Sequence, residues 1–172
     1  MVHSSERIYS GRVLNLRVDE IDQPSGDGTR KVEVVEHGGG VCVIAQPMPR
    51  EIILVKQHRH AIEQDLWEVP AGMIEHGEPA LETAKRELLE ETGYRAESLR
   101  PLWSMYTVPG YGQERIRYFV AEGLTAGEAQ PEADEQFELR IWPVDEAWAL
   151  VERDEMRDAK TQIALAWARA RL

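Results

Sequence analysis

At 172 residues the chain is the size of one domain with a real core, and its 42% hydrophobic and 30% charged residues are those of an ordinary globular protein, neither disordered nor membrane-embedded. Lys and Arg total 20 against 31 Asp and Glu, and the resulting charge of −11 repels phosphate backbones and anionic membranes, so no nucleic-acid or membrane partner is expected. The surplus of carboxylates needs a use or a counter-ion.

Residues 1–10 carry no basic start followed by an apolar stretch, and no segment approaches the ~20 apolar residues of a membrane helix. Leu16 to Ile21 alternates in polarity, Pro24 to Gly28 supplies turn chemistry, and Lys31 to Glu36 extends again. Residues 1–37 therefore read as an N-terminal β-hairpin region. Such a hairpin is too short for a core of its own and must lie against the main domain, residues 38–172, or against a second subunit. Gly38-Gly39-Gly40 punctuates the chain before two apolar runs, Val41 to Ala45 and Ile52 to Val55, which read as central strands. The only cysteine, Cys42, falls in the first run and reads as a buried thiol of a reducing, cytoplasmic protein.

From Pro79 to Thr92 the pattern turns helical, with Leu81, Ala84 and Leu88 on one stripe, Pro79 in the first turn and Gly93 just past the end. Leu99 to Val108 and Ile116 to Val120 read as strands joined by a loop at Pro109 to Gln113, and Phe137 to Trp142 as another strand. Pro143 opens a helix through Val151, and Ala159 to Leu172 forms the last one. The expected class is α/β, a mixed sheet sandwiched by a few helices.

Within the central helix Glu87, Glu90 and Glu91 stand at i, i+3 and i+4, which sets three carboxylates on one face. Oxygen ligands clustered in this way suit Mg²⁺ or Mn²⁺. Arg86, four residues from both Glu82 and Glu90, is placed to orient carboxylates. A Glu-rich helix alone would be a solvated face carrying pairs worth ~0.2–0.5 kcal/mol. Here a glycine-led loop, Gly72-Met73-Ile74-Glu75-His76-Gly77-Glu78, runs directly into it.

Gly72 to Tyr94 resembles the Nudix box, G-x5-E-x7-R-E-U-x-E-E-x-G-U with U a bulky aliphatic residue; every defined position matches except the last, where Tyr94 stands at a packing position. The resemblance implies an α/β/α sandwich and a divalent-metal-dependent hydrolase of nucleoside diphosphates linked to a further group. By position in the box, Glu87, Glu90, Glu91 and the carbonyl of Ala71 would hold metal, two or more Mg²⁺ ions with Mn²⁺ as the other choice, and Arg86 and Glu90 would join the catalytic set. Glu78 would hold the loop at the helix start.

Flanking segments resemble the ADP-ribose pyrophosphatase branch of that family. Pro109, sixteen residues past Gly93, is followed by Glu114 five residues on, and Lys56-Gln57-His58-Arg59 precedes Leu66-Trp67-Glu68-Val69-Pro70-Ala71. The branch implies Arg59 as a phosphate-binding arginine, whose planar fork suits the role. It also implies Glu33, His37, Met73 and Glu114 on the substrate side, and a homodimer in which the N-terminal region reaches across the subunit boundary. In Glu132-Ala133-Asp134-Glu135, Glu135 best matches a glutamate that binds metal or activates water; the general base stays open among Glu135, Glu132, Asp134 and Glu114. The reaction implied is hydrolysis of ADP-ribose to AMP and ribose 5-phosphate, with GDP-mannose or another nucleotide sugar as the alternative substrate. A different class of reading is a catalytically silent module of this fold that binds a nucleotide, against which the intact carboxylates speak.

Overall fold

The computed structural model describes residues 1–129 and 138–171. At the N-terminus β1 (Val2–Ser10), β2 (Leu14–Asp22) and β3 (Thr29–His37) form a three-stranded antiparallel sheet, so the expected hairpin is β2–β3 with a further strand added. The sequence of β1 hides it: His3-Ser4-Ser5-Glu6-Arg7 has no apolar alternation, and the whole strand is exposed. Polar side chains hold it instead. Ser5 Oγ donates to Asp19 at 2.6 Å, and Arg7 pairs with Glu36 at 2.8 Å. The sheet is joined to the rest of the fold at Val35, whose N–H donates to the Tyr111 carbonyl at 2.7 Å and whose carbonyl accepts from Gln113 N–H at 2.9 Å.

The main body adds β4 (Gly40–Ala45), β5 (Glu51–Arg59), β6 (Gln64–Glu68), β7 (Ala71–Met73), α1 (Ala80–Thr92), β8 (Arg95–Tyr106), β9 (Arg115–Thr125), β10 (Glu138–Pro143), α2 (Val144–Glu152) and α3 (Ala159–Arg169). One sheet runs β7-β4-β9-β8 with β4 and β9 parallel, and a second runs β10-β5-β6. Both faces of the central strands are buried, which is why they read as unbroken apolar runs. Along β4, Cys42 and Ile44 point to the core shared with α2 and α3, while Val41, Val43 and Ala45 point to the core under α1. Ile52 and Leu54 oppose Ile53 on β5 in the same way, and Tyr118 opposes Phe119 on β9. A helix layer thus lies on each side, the sandwich expected from the sequence.

Boundaries shift by a few residues. Pro79 is the N-cap of α1 and not part of its first turn, and Pro143 remains in β10 with α2 starting one residue later. Strand β8 begins at Arg95, directly after the helix stop, four residues before Leu99. Gly93 ends α1 in the left-handed region (φ 74°), its N–H on the Leu89 carbonyl at 2.8 Å. A Cβ there would sit 2.6 Å from the nitrogen of Ala129 and 2.7 Å from the carbonyl oxygen of Gly127, so glycine is required twice over. Among the described residues no helix is long and apolar enough to cross a membrane.

Candidate active site

Ala84 and Leu88 bury one side of α1 in the core, and on the neighbouring turns Glu87 and Glu91 fall against β7. Both carboxylates are buried, Glu87 at 8% exposure and Glu91 at 4%. Glu91 Oε2 accepts the N–H of Ala71 at 3.1 Å. The Glu87 carboxylate rests on Gly72 so closely that a Cβ at that position would lie 1.9 Å from its Oε1. The structure therefore brings together Ala71, Glu87 and Glu91, and shows why the first residue of the motif is glycine: its missing side chain is the space that the carboxylate fills.

Arg86 ties this edge of the helix to the loop before it. Its Nε and Nη2 donate to Glu78 at 3.2 Å each, Nη2 reaches the Met73 carbonyl at 3.3 Å, and Nη1 lies 2.9 Å from Glu87 and 3.0 Å from Glu90. The Glu78 carboxyl is held below its usual range, chiefly by the Arg86 guanidinium, and Arg86 is pushed higher still by the carboxylates around it, Glu78 first. Glu78 also accepts Glu75 N–H at 3.4 Å, which fits its expected role in holding the loop. The expected pairing of Arg86 with Glu82 is not formed; Glu82 pairs with Lys85 at 2.8 Å, because Arg86 leans back toward Glu78.

Among the described residues no three His, Cys, Asp or Glu side chains stand closed around a metal position. A hard ion such as Mg²⁺ does not need such a cage, since it keeps several waters and takes one or two protein carboxylates together with substrate phosphates. Two buried carboxylates set against the Ala71–Gly72 strand fit that requirement. Glu90 shares the Arg86 guanidinium with Glu87.

Arg59, at the end of β5, forks onto Glu68 through Nε at 2.7 Å and Nη2 at 2.5 Å. Its guanidinium is held above its ordinary value mainly by Glu68, with Glu91 a small further contributor. Glu68 was not among the residues singled out by sequence, and neither was Lys160, which also bonds it. The signal available was a lone carboxylate inside Leu66-Trp67-Glu68-Val69, a run otherwise suited to burial.

His37 and Glu114 come together from distant parts of the chain, Nδ1 to Oε1 at 3.7 Å. The Gly39 N–H donates to that same Nδ1 at 3.0 Å, which puts the ring proton of neutral His37 on Nε2. Glu114 is fixed instead by Thr107, whose hydroxyl donates to Oε2 at 2.6 Å. Met73 is exposed at the end of β7, paired with Gly40 of β4. Glu33 lies exposed farther along β3, opposite Val18, and β3 is not among the elements that pack substantially on α1. Glu132, Ala133, Asp134 and Glu135 fall outside the described residues.

Residues 36–164 match the family model described as NUDIX domain. The chain is 40% identical over 164 residues to the ADP-ribose pyrophosphatase of Bacillus subtilis (strain 168), a span of 94% of this chain and 88% of that protein. It is 42% identical over 163 residues to the methanol dehydrogenase activator of Bacillus methanolicus, again 94% and 88%. A crystal structure described as an ADP compounds hydrolase matches the fold with a TM-score of 0.85 at 22% identity, over 100% of this chain and 93% of that one. With the glycine, the arginine and the glutamates of the motif folded into one carboxylate-lined edge, and the match running from the end of β3 into α3, the chain belongs to the Nudix family of hydrolases.

Proposed function

We propose that the protein hydrolyses the pyrophosphate of ADP-ribose to AMP and ribose 5-phosphate. The observation that carries this reading is the seating of Glu87 and Glu91 against Gly72 and Ala71, a hard-oxygen site on the helix of the motif. The choice of ADP-ribose is supported by the substrate named for the Bacillus subtilis relative and by the Pro109–Glu114 loop, which ends beside His37.

In this reading Glu87, Glu91 and the Ala71 carbonyl hold Mg²⁺, or Mn²⁺, with Glu90 and Glu135 completing a site for two or more ions. When bound, the cations supply charge neutralisation at the phosphate oxygens and a more acidic water. Arg86 orients Glu87 and Glu90 and offsets their charge. Arg59 binds a phosphate oxygen with N–H donors not used on Glu68. A carboxylate, one of Glu135, Glu132, Asp134 and Glu114, removes the proton of the attacking water. Glu33, His37, Met73 and Glu114 line the nucleoside and sugar side. Turnover across a panel of nucleoside diphosphate sugars should show the highest kcat/KM for ADP-ribose; GDP-mannose ranking far above it would overturn the assignment.

We also propose that residues 1–37 form the contact face of a homodimer and residues 38–172 the hydrolase domain. Support comes from exposed Val2, Ile8 and Tyr9 on β1, part of a small sheet that cannot make a core of its own. Light scattering should give twice the 19.6 kDa chain mass, and a value of 19.6 kDa at micromolar concentration would refute the dimer. Cys42, whose thiol is pushed up by burial and so kept un-ionised, suits the reducing cytoplasm, where we place the enzyme.

A further inference from the structure

Glu68 closes β6 at 2% exposure, and a carboxylate buried to that degree must be paired and hydrogen-bonded to remain charged. Its oxygens divide the work. Oε1 accepts Arg59 Nε, while Oε2 accepts both Arg59 Nη2 and the ammonium of Lys160, which comes from the first turn of α3 and lies 92 residues away in sequence. Lys160 is itself mostly buried and donates to Asp158 at 3.0 Å. The four charges alternate as Arg59, Glu68, Lys160 and Asp158 and sum to zero.

The tip of α3 grips the same strand end a second time without charge. Asp158 caps the helix, accepting Thr161 N–H at 2.9 Å and the Thr161 hydroxyl at 2.6 Å, and that hydroxyl oxygen accepts the N–H of Val69 at 2.9 Å. Val69 leads directly through Pro70 into Ala71 and Gly72. One helix terminus therefore fixes both the carboxylate on which Arg59 is aimed and the segment that carries the Glu87 and Glu91 seat.

We propose that Lys160 is a positioning residue for substrate phosphate, acting through Glu68 on Arg59. The inference rests on Arg59 being a phosphate ligand. Of five guanidinium N–H donors the Glu68 fork uses two, and the other three serve an incoming phosphate only if the fork stays in place. Lys160 secures the fork from behind. It also takes up part of the Glu68 charge, so that the carboxylate competes less with phosphate for the guanidinium. Burial pushes the Lys160 ammonium toward neutrality, but Asp158 and Glu68 outweigh it and hold it above its ordinary value, so the charge is present throughout the neutral range.

The test is a double-mutant cycle on the full chain with ADP-ribose. Lys160→Met keeps the buried stem and leaves the Asp158 cap and the Thr161–Val69 bond, so the fold is retained. It should raise KM about fivefold or more with kcat changed less than about twofold, and Lys160→Arg should restore most of that loss. In an Arg59→Ala background, which itself raises KM, Lys160→Met should shift KM by less than about twofold. An unchanged KM in Lys160→Met, or an undiminished effect in the Arg59→Ala background, overturns the relay while leaving Arg59 as a phosphate ligand. An unchanged KM in Arg59→Ala alone overturns the phosphate reading and the relay with it.

Discussion

Alanine at position 72 should abolish most of the activity and little of the stability. The added Cβ would overlap the Glu87 carboxylate at 1.9 Å, and since Gly72 does not have a positive φ, the backbone accepts alanine without strain. What must move is the far end of a flexible side chain, so Glu87 leaves its seat and β7 stays. We expect kcat on ADP-ribose to fall about 10²-fold or more, since several kcal/mol of charge stabilisation depend on correctly held ligands. Tm should move by only ~2–4 °C, the shift that about 1 kcal/mol produces in a domain of this size. Steady-state kinetics beside calorimetry checks both, and a Gly72→Ala protein with the parent kcat would show that the Glu87 seat does not matter.

That expectation comes from a contact between two positions the sequence motif spaces fifteen residues apart, and it illustrates what was readable in advance. The helix from Ala80 to Thr92 was legible because its stop, Gly93, and its apolar stripe are local signals. The central strands were legible because burial on both faces leaves a continuous apolar run, as at Val41 to Ala45. The grouping of Glu87, Glu90 and Glu91 on one helix face followed from helical spacing, but their division did not. Glu87 and Glu91 turn to β7, while Arg86 is shared by Glu87 and Glu90, an arrangement made by packing of α1 on the sheet. Strand β1 escaped because an exposed, polar strand at a sheet edge has no periodic signature. The Glu68–Lys160 pair escaped because nothing local to either residue names a partner 92 positions away. Arg86 and Glu82 show the reverse error: spacing permits the pair, and a better-placed acceptor, Glu78, takes the guanidinium.

Glu91 offers the complementary experiment, since its carboxylate accepts the Ala71 N–H and a glutamine can keep that bond through its amide oxygen while losing the charge. The measurement that bears most directly on the proposed chemistry is therefore Mg²⁺-dependent turnover of ADP-ribose by the Glu91→Gln protein beside the parent, with AMP and ribose 5-phosphate followed as products. The parent should form both products only when divalent cation is supplied, and the variant, folded and with its Tm near that of the parent, should be slower by about 10²-fold or more. Equal rates in the two proteins, or a parent rate unchanged by chelator, would contradict a divalent-cation site built on Glu87 and Glu91.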